Sequence, residues 1–515
     1  MSSIFELSRY DGLRLQLDLK MSKLILRSST QDWNLVRIWV KRLLGLMYLN
    51  AFLIAFNQAK ALIGENGLLP MRNYLAQARF VDTPTLFFFA TSDLAINIVA
   101  LLGLSLSVAS LLGVFDRRSI ALSTVGWATI WICYLSFVNA GQTFWGFGWE
   151  MLILEVGFLA VFLGPNTVAS PAMMPWLFRW LLFRLMFGAG MIKIRGDNCW
   201  LDLTCMYYHY ETQPLPNPLS WFFHHLPPWL HQVEVGFTHF VELIVPFGFF
   251  LPPLIRWPAI LITAFFQIVL ILSGNLAWLN FMTLMLCVAS LDDRLFYKFG
   301  FAAKAELGRY VRWFHLLLVP AITAFLLFLG YAPAKNLLAS SQQMNASFDP
   351  LHLVNTYGAF GSVTKTRYEL IIEGTDDEIP VPNSHWLAYE FKRKPGDVYR
   401  MPQQISPYYF KLDWQIWFAA MTPYWDHPWI LNLVAKLLQN DQQTLALLAS
   451  NPFPNHPPKF IRVERYEYHF TSTLAAVEDG KTHWWERRRS EAYLPPLSLD
   501  DSEFSGLLRR LGWLQ

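Results

Sequence analysis

Charged residues are scarce in this chain. Asp, Glu, Lys and Arg make up 15% of its 515 residues, hydrophobic residues make up 54%, and the formal net charge is +3. A soluble domain carries about 25% charged residues, so the composition excludes an ordinary soluble protein. The small net charge excludes a strongly basic nucleic-acid binder. The deficit is concentrated in residues 38–331, which indicates a polytopic membrane protein with one appended water-exposed domain.

Several chemical signatures are also missing. Four cysteines are too few for a scaffold held together by disulfides, and the cysteines and histidines do not form the paired sets of a zinc site. No glycine-rich phosphate loop, nucleophile elbow or zinc-protease pattern stands out. The residues alone therefore predict no cofactor, no metal and no specific reaction. The first residues lack the apolar core of a signal peptide, so we expect the first membrane helix to act as the targeting signal.

Long apolar runs predict about nine membrane spans, with an odd number favoured. We expect a cytoplasmic leader at residues 1–37, a transmembrane domain at 38–331 and an extracytoplasmic domain at 332–515. The runs lie at 38–57, 86–115, 119–139, 150–163, 176–192, 235–251, 257–291 (a hairpin of two short spans) and 313–331. The most basic loops then fall on the cytoplasmic side. The loop 193–234 and the C-terminal domain fall on the lumenal or periplasmic side.

The charged residues inside these runs include Glu150, Glu155, Arg179 and Arg184. A charged side chain at mid-bilayer costs roughly 2.5–3.5 kcal/mol on insertion scales. We therefore expect all four to face the interior of the bundle.

Residues 332–515 have the pattern of a β-rich α+β domain. Alternating apolar and polar residues predict strands at 367–373, 386–391 and 460–470. Apolar residues at helical spacing predict helices at 416–420 and 430–449, separated by Pro and Gly.

The loop 193–234 is polar and aromatic between apolar flanks, which makes it the candidate functional site. Lys193 is either a lysine that ends its helix at the membrane interface or a partly desolvated base. Asp197 either pairs with Arg195 or caps the next helical turn. The site candidates in this loop are Lys193, Arg195, Asp197, Trp200, Asp202, Tyr207, His209, Tyr210, Glu211, Gln213 and Pro214.

Two further pairs leave alternatives open. Cys199 and Cys205 either form a disulfide, as an oxidising compartment allows, or pack as two thiols under the loop. His239 and Glu242 are three residues apart and share a helix face. They either form a buried hydrogen bond or take a ligand or relay role. His209 and Glu211, two apart, do not share a face, which argues against a metal site.

Long stretches of the chain resemble the lipase maturation factor family. The similar segments are 193–218 (KIRGDNCWLDLTCMYYHYETQPLPNP), 239–247, 354–369 (VNTYGAFGSVTKTRYE), 389–397, 405–420, 451–470 and 484–499. The resemblance implies a non-enzymatic factor that assists folding and assembly of dimeric lipases of the lipoprotein-lipase class. It implies the endoplasmic reticulum membrane in a eukaryote, and the inner membrane would be the bacterial equivalent. The expected partners are client lipases, bound through the C-terminal domain, and membrane lipid. Trp414, Trp484 and Trp485 are candidate anchors for a client, with a role in the core as the alternative.

The membrane part also resembles, more distantly, the horizontally transferred transmembrane domain of vitamin K-dependent γ-carboxylases. The run from Ala189 to Lys193 is similar to the carboxylase segment that carries its catalytic lysine. This resemblance implies an alternative function: a membrane enzyme that uses Lys193 as a base on a lipid or quinone-like cosubstrate.

Overall fold

The computed structural model describes residues 33–117, 119–298, 300, 309–381, 383–473 and 482–514. Most of the predicted leader 1–37, and part of the basic loop that contains Lys304, lie outside these ranges. The described part of the membrane domain is a helical bundle. Besides the short helices Met71–Leu75, Ser220–His224 and Asp293–Lys298, it contains ten helices that we label here. They are α1 Asn34–Ile63, α2 Asp93–Leu111, α3 Ile120–Ala140, α4 Gly148–Val161, α5 Met174–Arg195, α6 Met206–Thr212, α7 Pro228–His239, α8 Pro253–Ser273, α9 Leu279–Ser290 and α10 Val319–Leu329.

Two of these helices are lengthened by adjoining turns. α7 continues through a π-helical turn at Phe240–Ile244 and a 3-10 segment at Val245–Phe250. A π-helical turn at Phe314–Leu318 precedes α10, and a further helical segment, Tyr331–Leu338, follows it. The chain therefore leaves the bundle at residue 339, close to the predicted domain boundary.

Six helices in the described ranges are long and apolar enough to cross a membrane: α1, α2, α3, α8, and α7 and α10 with their extensions. α4 and α9 are shorter, and α5 carries several charges, but all three pack within the same bundle. Of the ten labelled helices, only α6 falls outside the predicted runs, and the other nine match them. The break between α8 and α9 at residues 274–278 confirms the predicted hairpin. The number of crossings stays a prediction.

The charges inside the bundle face its interior, as predicted. Glu150, Glu155, Arg179 and Arg184 are all buried. At the end of the bundle opposite Lys193, Lys41 and Asp116 form a buried ion pair that the half-buried Arg42 joins, and Arg256 pairs with Asp292. The basic residues at this end therefore also hold helices together.

The C-terminal domain contains one antiparallel sheet with strand order β3-β2-β1-β4-β5. Its strands are β1 Arg367–Thr375, β2 Leu387–Phe391, β3 Leu448–Ser450, β4 Phe460–Phe470 and β5 Trp485–Leu497, and its main helices are α11 Lys411–Ala419, α12 Trp429–Leu438 and α13 Ser502–Arg510. The three predicted strands are confirmed as β1, β2 and β4.

The predicted helix 430–449 is wrong in its second half. α12 ends at Leu438, Asn440 adopts a left-handed φ of 53°, and the Asp441 side chain caps a new short turn. The chain then pairs with β2 as β3. The pattern did not reveal β5 either, because most of its side chains are exposed and therefore do not alternate.

The linking segment, residues 339–366, joins the bundle to the sheet. It runs back over the Lys193 end of the bundle, where Asp197 N donates to Gly361 O at 2.8 Å. A single hydrophobic cluster extends from the helices into the C-terminal domain. The two domains are therefore packed against each other.

Candidate functional site

A cavity lies at the Lys193 end of the bundle, beneath the linking segment; we call it the Lys193 cavity. Its cavity volume is about 80 Å³, several times the roughly 10–15 Å³ that one water molecule needs. Its apolar wall comes from α5, α8 and α9 and includes Leu185, Ala189, Phe266, Leu270 and Leu279. Its polar groups include Lys193, His209, Glu242 and Asn280. The fold thus brings four polar side chains from distant parts of the sequence to one apolar chamber.

Lys193 and Glu242 form a buried ion pair in this cavity. The Lys193 ammonium donates to Glu242 Oε1 at 2.6 Å and to Oε2 at 2.7 Å, and both residues are about 95% buried. A buried pair of this kind is tolerated because each charge compensates the other. Lys193 is therefore neither a snorkelling lysine nor a free amine.

The π-helical turn changes the predicted relation between His239 and Glu242. Of the two expected alternatives, the hydrogen bond between them is not formed, and the ligand or relay role stays a prediction. The wider turn begins at Phe240, directly after His239, and Glu242 turns to Lys193. His239 Nε2 instead donates to Trp200 O at 3.0 Å. The spacing rule failed because it assumes a regular α-helix.

Trp200 covers the Lys193 ammonium. Its ring centroid lies 5.2 Å from Lys193 Nζ, within the range of a cation–π contact, and its indole N–H donates to Phe360 O at 2.8 Å. Cys199 and Cys205 form a disulfide that closes the turn containing Trp200. Asp197 caps this turn by accepting from Cys199 N at 3.0 Å, which confirms the capping alternative.

His209 lies in the cavity wall as a neutral side chain. Burial, together with the nearby Lys193 charge, lowers the pKa of His209 to about 4. Its ring packs edge-on against Phe360 at 4.6 Å. Its Nδ1 atom is buried and has no hydrogen-bond partner among the described residues. Such an orphaned buried polar atom calls for an explanation, and a bound water, ion or ligand group is one.

Glu211 faces away from the cavity and fastens the loop to the sheet. It accepts from Phe470 N at 2.6 Å and from His469 Nδ1 at 3.1 Å. Burial raises the pKa of Glu211, and these two partners oppose the rise. Arg367 on β1 donates to the carbonyls of Glu211 and Pro214, each at 2.9 Å. Loop residues 211–214 therefore dock the C-terminal sheet onto the bundle.

Two inward carboxylates of the bundle are docking points for the C-terminal half. Glu155 pairs with Arg184 and accepts from Asn355 N at 3.2 Å and from Tyr357 OH at 2.8 Å. Arg184 also donates to Asn355 O at 2.7 Å. Asn355 and Tyr357 belong to the linking segment, so this network fixes it to the helices.

The second carboxylate, Glu150, binds the start of α11. It accepts from Lys411 Nζ at 2.7 Å and also hydrogen-bonds the hydroxyls of Tyr134 and Tyr409. The Lys411 ammonium lies 3.9 Å from the centroid of the Trp145 ring. The bundle thus uses its buried charges to bind the domain that follows it.

Two glycines let the linking segment approach α5. A Cβ atom at Gly188 would lie 2.6 Å from Tyr357 O, and one at Gly196 would lie 2.1 Å from Gly361 O. Both obstacles are backbone atoms, which cannot rotate away. These positions need glycine because the linking segment lies directly on the helix.

Two of the three tryptophans proposed as client anchors are not accessible. Trp414 is buried against Trp149, with ring centroids 4.7 Å apart, and Trp485 is buried against Phe470 at 4.2 Å. Trp484 is half-buried and packs in the same cluster as Phe470 and Trp485. For Trp414 and Trp485 the alternative of a core role is therefore confirmed, because packing between the domains and within the sheet covers their rings.

The remaining candidates from the loop have separate positions. Arg195 donates to Leu337 O at 2.5 Å, and Gln213 Nε2 donates to Ser273 O at 2.8 Å. Tyr210 is buried, Tyr207 is half-buried, and Asp202 is exposed. The loop therefore contributes Lys193, Trp200, Met206 and His209 to the cavity.

The sequence did not single out Asn355, Tyr357, Lys411 or Asn280. The first three lie in stretches noted for their family resemblance, but no local pattern gave them a chemical role. A lysine in an otherwise apolar helix, such as Lys411 in α11, could have indicated a buried partner.

Comparisons with known proteins agree with this architecture. The family model "Lipase maturation factor transmembrane domain" matches residues 35–298, and "Lipase maturation factor C-terminal domain" matches residues 353–495. Lipase maturation factor 1 of Mus musculus is 42% identical over 522 residues, covering 92% of this chain and 89% of that protein. Lipase maturation factor 1 of Homo sapiens is 41% identical, covering 93% and 90%.

A second group of relatives is more distant. Lipase maturation factor 2 of Homo sapiens is 30% identical over 601 residues, covering 90% of this chain and 83% of that protein. No solved structure matches the chain. Both family models match in the order of the two domains, and together with the full-length relatives they show that this integral membrane protein belongs to the lipase maturation factor family.

Proposed function

We propose that this protein assists the folding and assembly of secreted dimeric lipases of the lipoprotein-lipase class. One observation carries the proposal: relatives named lipase maturation factor 1 align with more than nine-tenths of the chain, through both domains. The buried contacts between the domains support it, because they make the helices and the C-terminal sheet one continuous unit that can act on a client.

The location follows from the same proposal. The membrane would be the endoplasmic reticulum in a eukaryote or the inner membrane in a bacterium, with the C-terminal domain on the lumenal or periplasmic side. The Cys199–Cys205 disulfide supports this side, because disulfides persist in oxidising compartments. It lies in the loop that docks the C-terminal sheet, so the loop and the sheet share one side of the membrane.

A different aromatic surface is the better candidate for client contact. Trp425 is 66% exposed. The neighbouring Tyr424 contacts Tyr493 of strand β5, and the centroids of these two tyrosine rings are 6.4 Å apart. β5 lies at the edge of the sheet. Edge strands offer backbone groups to an extended segment of a partner, and exposed Trp and Tyr are common anchors. We propose that Trp425 and β5 replace the buried tryptophans as the client surface.

Co-expression with a dimeric lipase tests this function. We expect the wild-type chain to raise the activity per milligram and the dimer fraction of the secreted lipase in cells that lack a maturation factor. Trp425→Ala should abolish the gain while the variant accumulates normally. Trp229→Ala is the matched control, because Trp229 is 64% exposed but lies in α7 of the membrane domain. The absence of a gain with every dimeric lipase tested would contradict the proposed function.

A further inference from the structure

The Lys193 cavity takes no part in the client surface proposed above, yet it has the properties of a ligand site. Its wall is mostly apolar, and its few polar groups converge from the loop, α7 and α9. Small-molecule sites typically combine such a wall with a few placed polar groups. The ring of Phe360 and the backbone of the linking segment form another part of the wall.

The charges of the cavity specify a ligand without net charge. Lys193 and Glu242 carry the formal charges among the described lining residues, and they neutralise each other at 2.6 and 2.7 Å. A charged head group would have to compete with this pair and would lose its own hydration without compensation. A neutral head group avoids that cost.

The polar groups also specify where the head of the ligand lies. His209 is 94% buried in the wall, and its Nδ1 atom has no partner within the described part of the chain. Asn280 on α9 adds a buried amide to the same chamber. A hydroxyl or ester carbonyl could satisfy these groups, because each can hydrogen-bond a neutral imidazole or an amide.

We propose that the Lys193 cavity binds the head of one neutral amphipathic lipid, whose hydroxyl or ester carbonyl lies beside His209, Asn280 and the Lys193–Glu242 pair and whose nearest apolar carbons pack against α8 and α9. The site is separate from the proposed client surface at Trp425. Lipid binding can therefore be measured without a lipase, and its failure is distinguishable from failure of the maturation function.

Saturation binding to the purified full-length chain in detergent tests the proposal. The neutral probes are tritiated cholesterol and tritiated monoolein, which distinguish a sterol from an acylglycerol, and the charged competitor is oleate. We expect one neutral probe to saturate near one molecule per chain, with oleate displacing it at least tenfold less effectively than the unlabelled neutral lipid. Saturation by neither probe, or equally effective displacement by oleate, would overturn the proposal.

Two variants locate the bound lipid. Ala189→Trp should lower affinity at least tenfold by filling the cavity, whereas Ala324→Trp, an exposed position on α10, should leave it unchanged. His209→Phe should lower affinity about tenfold, the effect of one net hydrogen bond. If Ala189→Trp does not give a monodisperse protein, His209→Phe decides. Wild-type affinity in His209→Phe, or in a well-folded Ala189→Trp, refutes the site.

Discussion

Replacing Lys411 with methionine should loosen the C-terminal domain from the bundle. The ammonium of Lys411 is fully buried and donates to Glu150 Oε1 at 2.7 Å and to Phe144 O at 3.1 Å. Methionine keeps most of the side-chain volume but removes the charge. The Glu150 carboxylate would then stay buried with only the hydroxyls of Tyr134 and Tyr409 as partners. Breaking a buried ion pair in this way costs about 3–5 kcal/mol.

Denaturant unfolding in detergent, followed by tryptophan fluorescence, measures this loss. Trypsin digestion of the native protein adds a local measurement, since a released C-terminal domain should be cleaved faster. Lys459→Met is the control: Lys459 forms an exposed pair with Glu378, and such surface pairs contribute about 0–1 kcal/mol.

A double variant shows how much of the lost stability comes from the unpaired Glu150 charge and how much from changed packing at Lys411. Glu150→Gln in the Lys411→Met background removes the stranded carboxylate and keeps an amide near both tyrosine hydroxyls. We expect it to recover a large part of the lost stability, because neighbouring residues are not additive. A loss below about 1 kcal/mol in Lys411→Met, or no recovery in the double variant, would refute the conclusion that this ion pair docks the domain.

Three further predictions concern the Lys193 end of the bundle. If Lys193 has a structural role, Lys193→Met should lower the abundance of the variant protein and lower lipase maturation by the same factor. Adding Glu242→Gln should then restore both quantities. If Lys193 acts as a base, Lys193→Met should abolish lipase maturation while the variant accumulates normally, and Glu242→Gln should not restore it. His209 has a folded pKa of about 4 against an ordinary 6.5, so the unfolded chain binds more protons between these values. Stability should therefore fall by about 3 kcal/mol as the pH drops from 6.5 to 4, and His209→Phe should flatten that part of the stability–pH curve. Gly188→Ala should lower the thermal midpoint because its Cβ meets the backbone of Tyr357, whereas Gly236→Ala, with open space around it, should match or exceed wild type.

The architecture of the membrane domain could be predicted from the sequence because its signal is local. Apolar runs of sufficient length identified the nine principal helices, and Ser273-Gly274-Asn275 marked the break between α8 and α9. Alternation likewise identified β1, β2 and β4, each of which has a buried face. β5 escaped because an exposed edge strand has no such alternation, and its pairing with β4 depends on residues 15 or more positions away.

The residues that form the candidate site could be predicted only in part. The loop 193–234 correctly indicated a special region, and it supplies Lys193, Trp200 and His209 to the cavity. The partner of Lys193 was beyond local reasoning, since Glu242 lies 49 residues away and turns through a π-helical segment. The docking residues Asn355 and Lys411 have no periodic pattern of their own.

The sequence by itself determined that charged residues such as Glu150 and Glu155 had to be inside the bundle, because exposing a carboxylate to lipid is costly. Only the tertiary structure decided which groups compensate them: Lys411 and two tyrosines for Glu150, and Arg184, Asn355 and Tyr357 for Glu155. The physical reason is that hydrophobicity depends on each residue alone, whereas compensation of a buried charge depends on the distance between atoms that are remote in the chain.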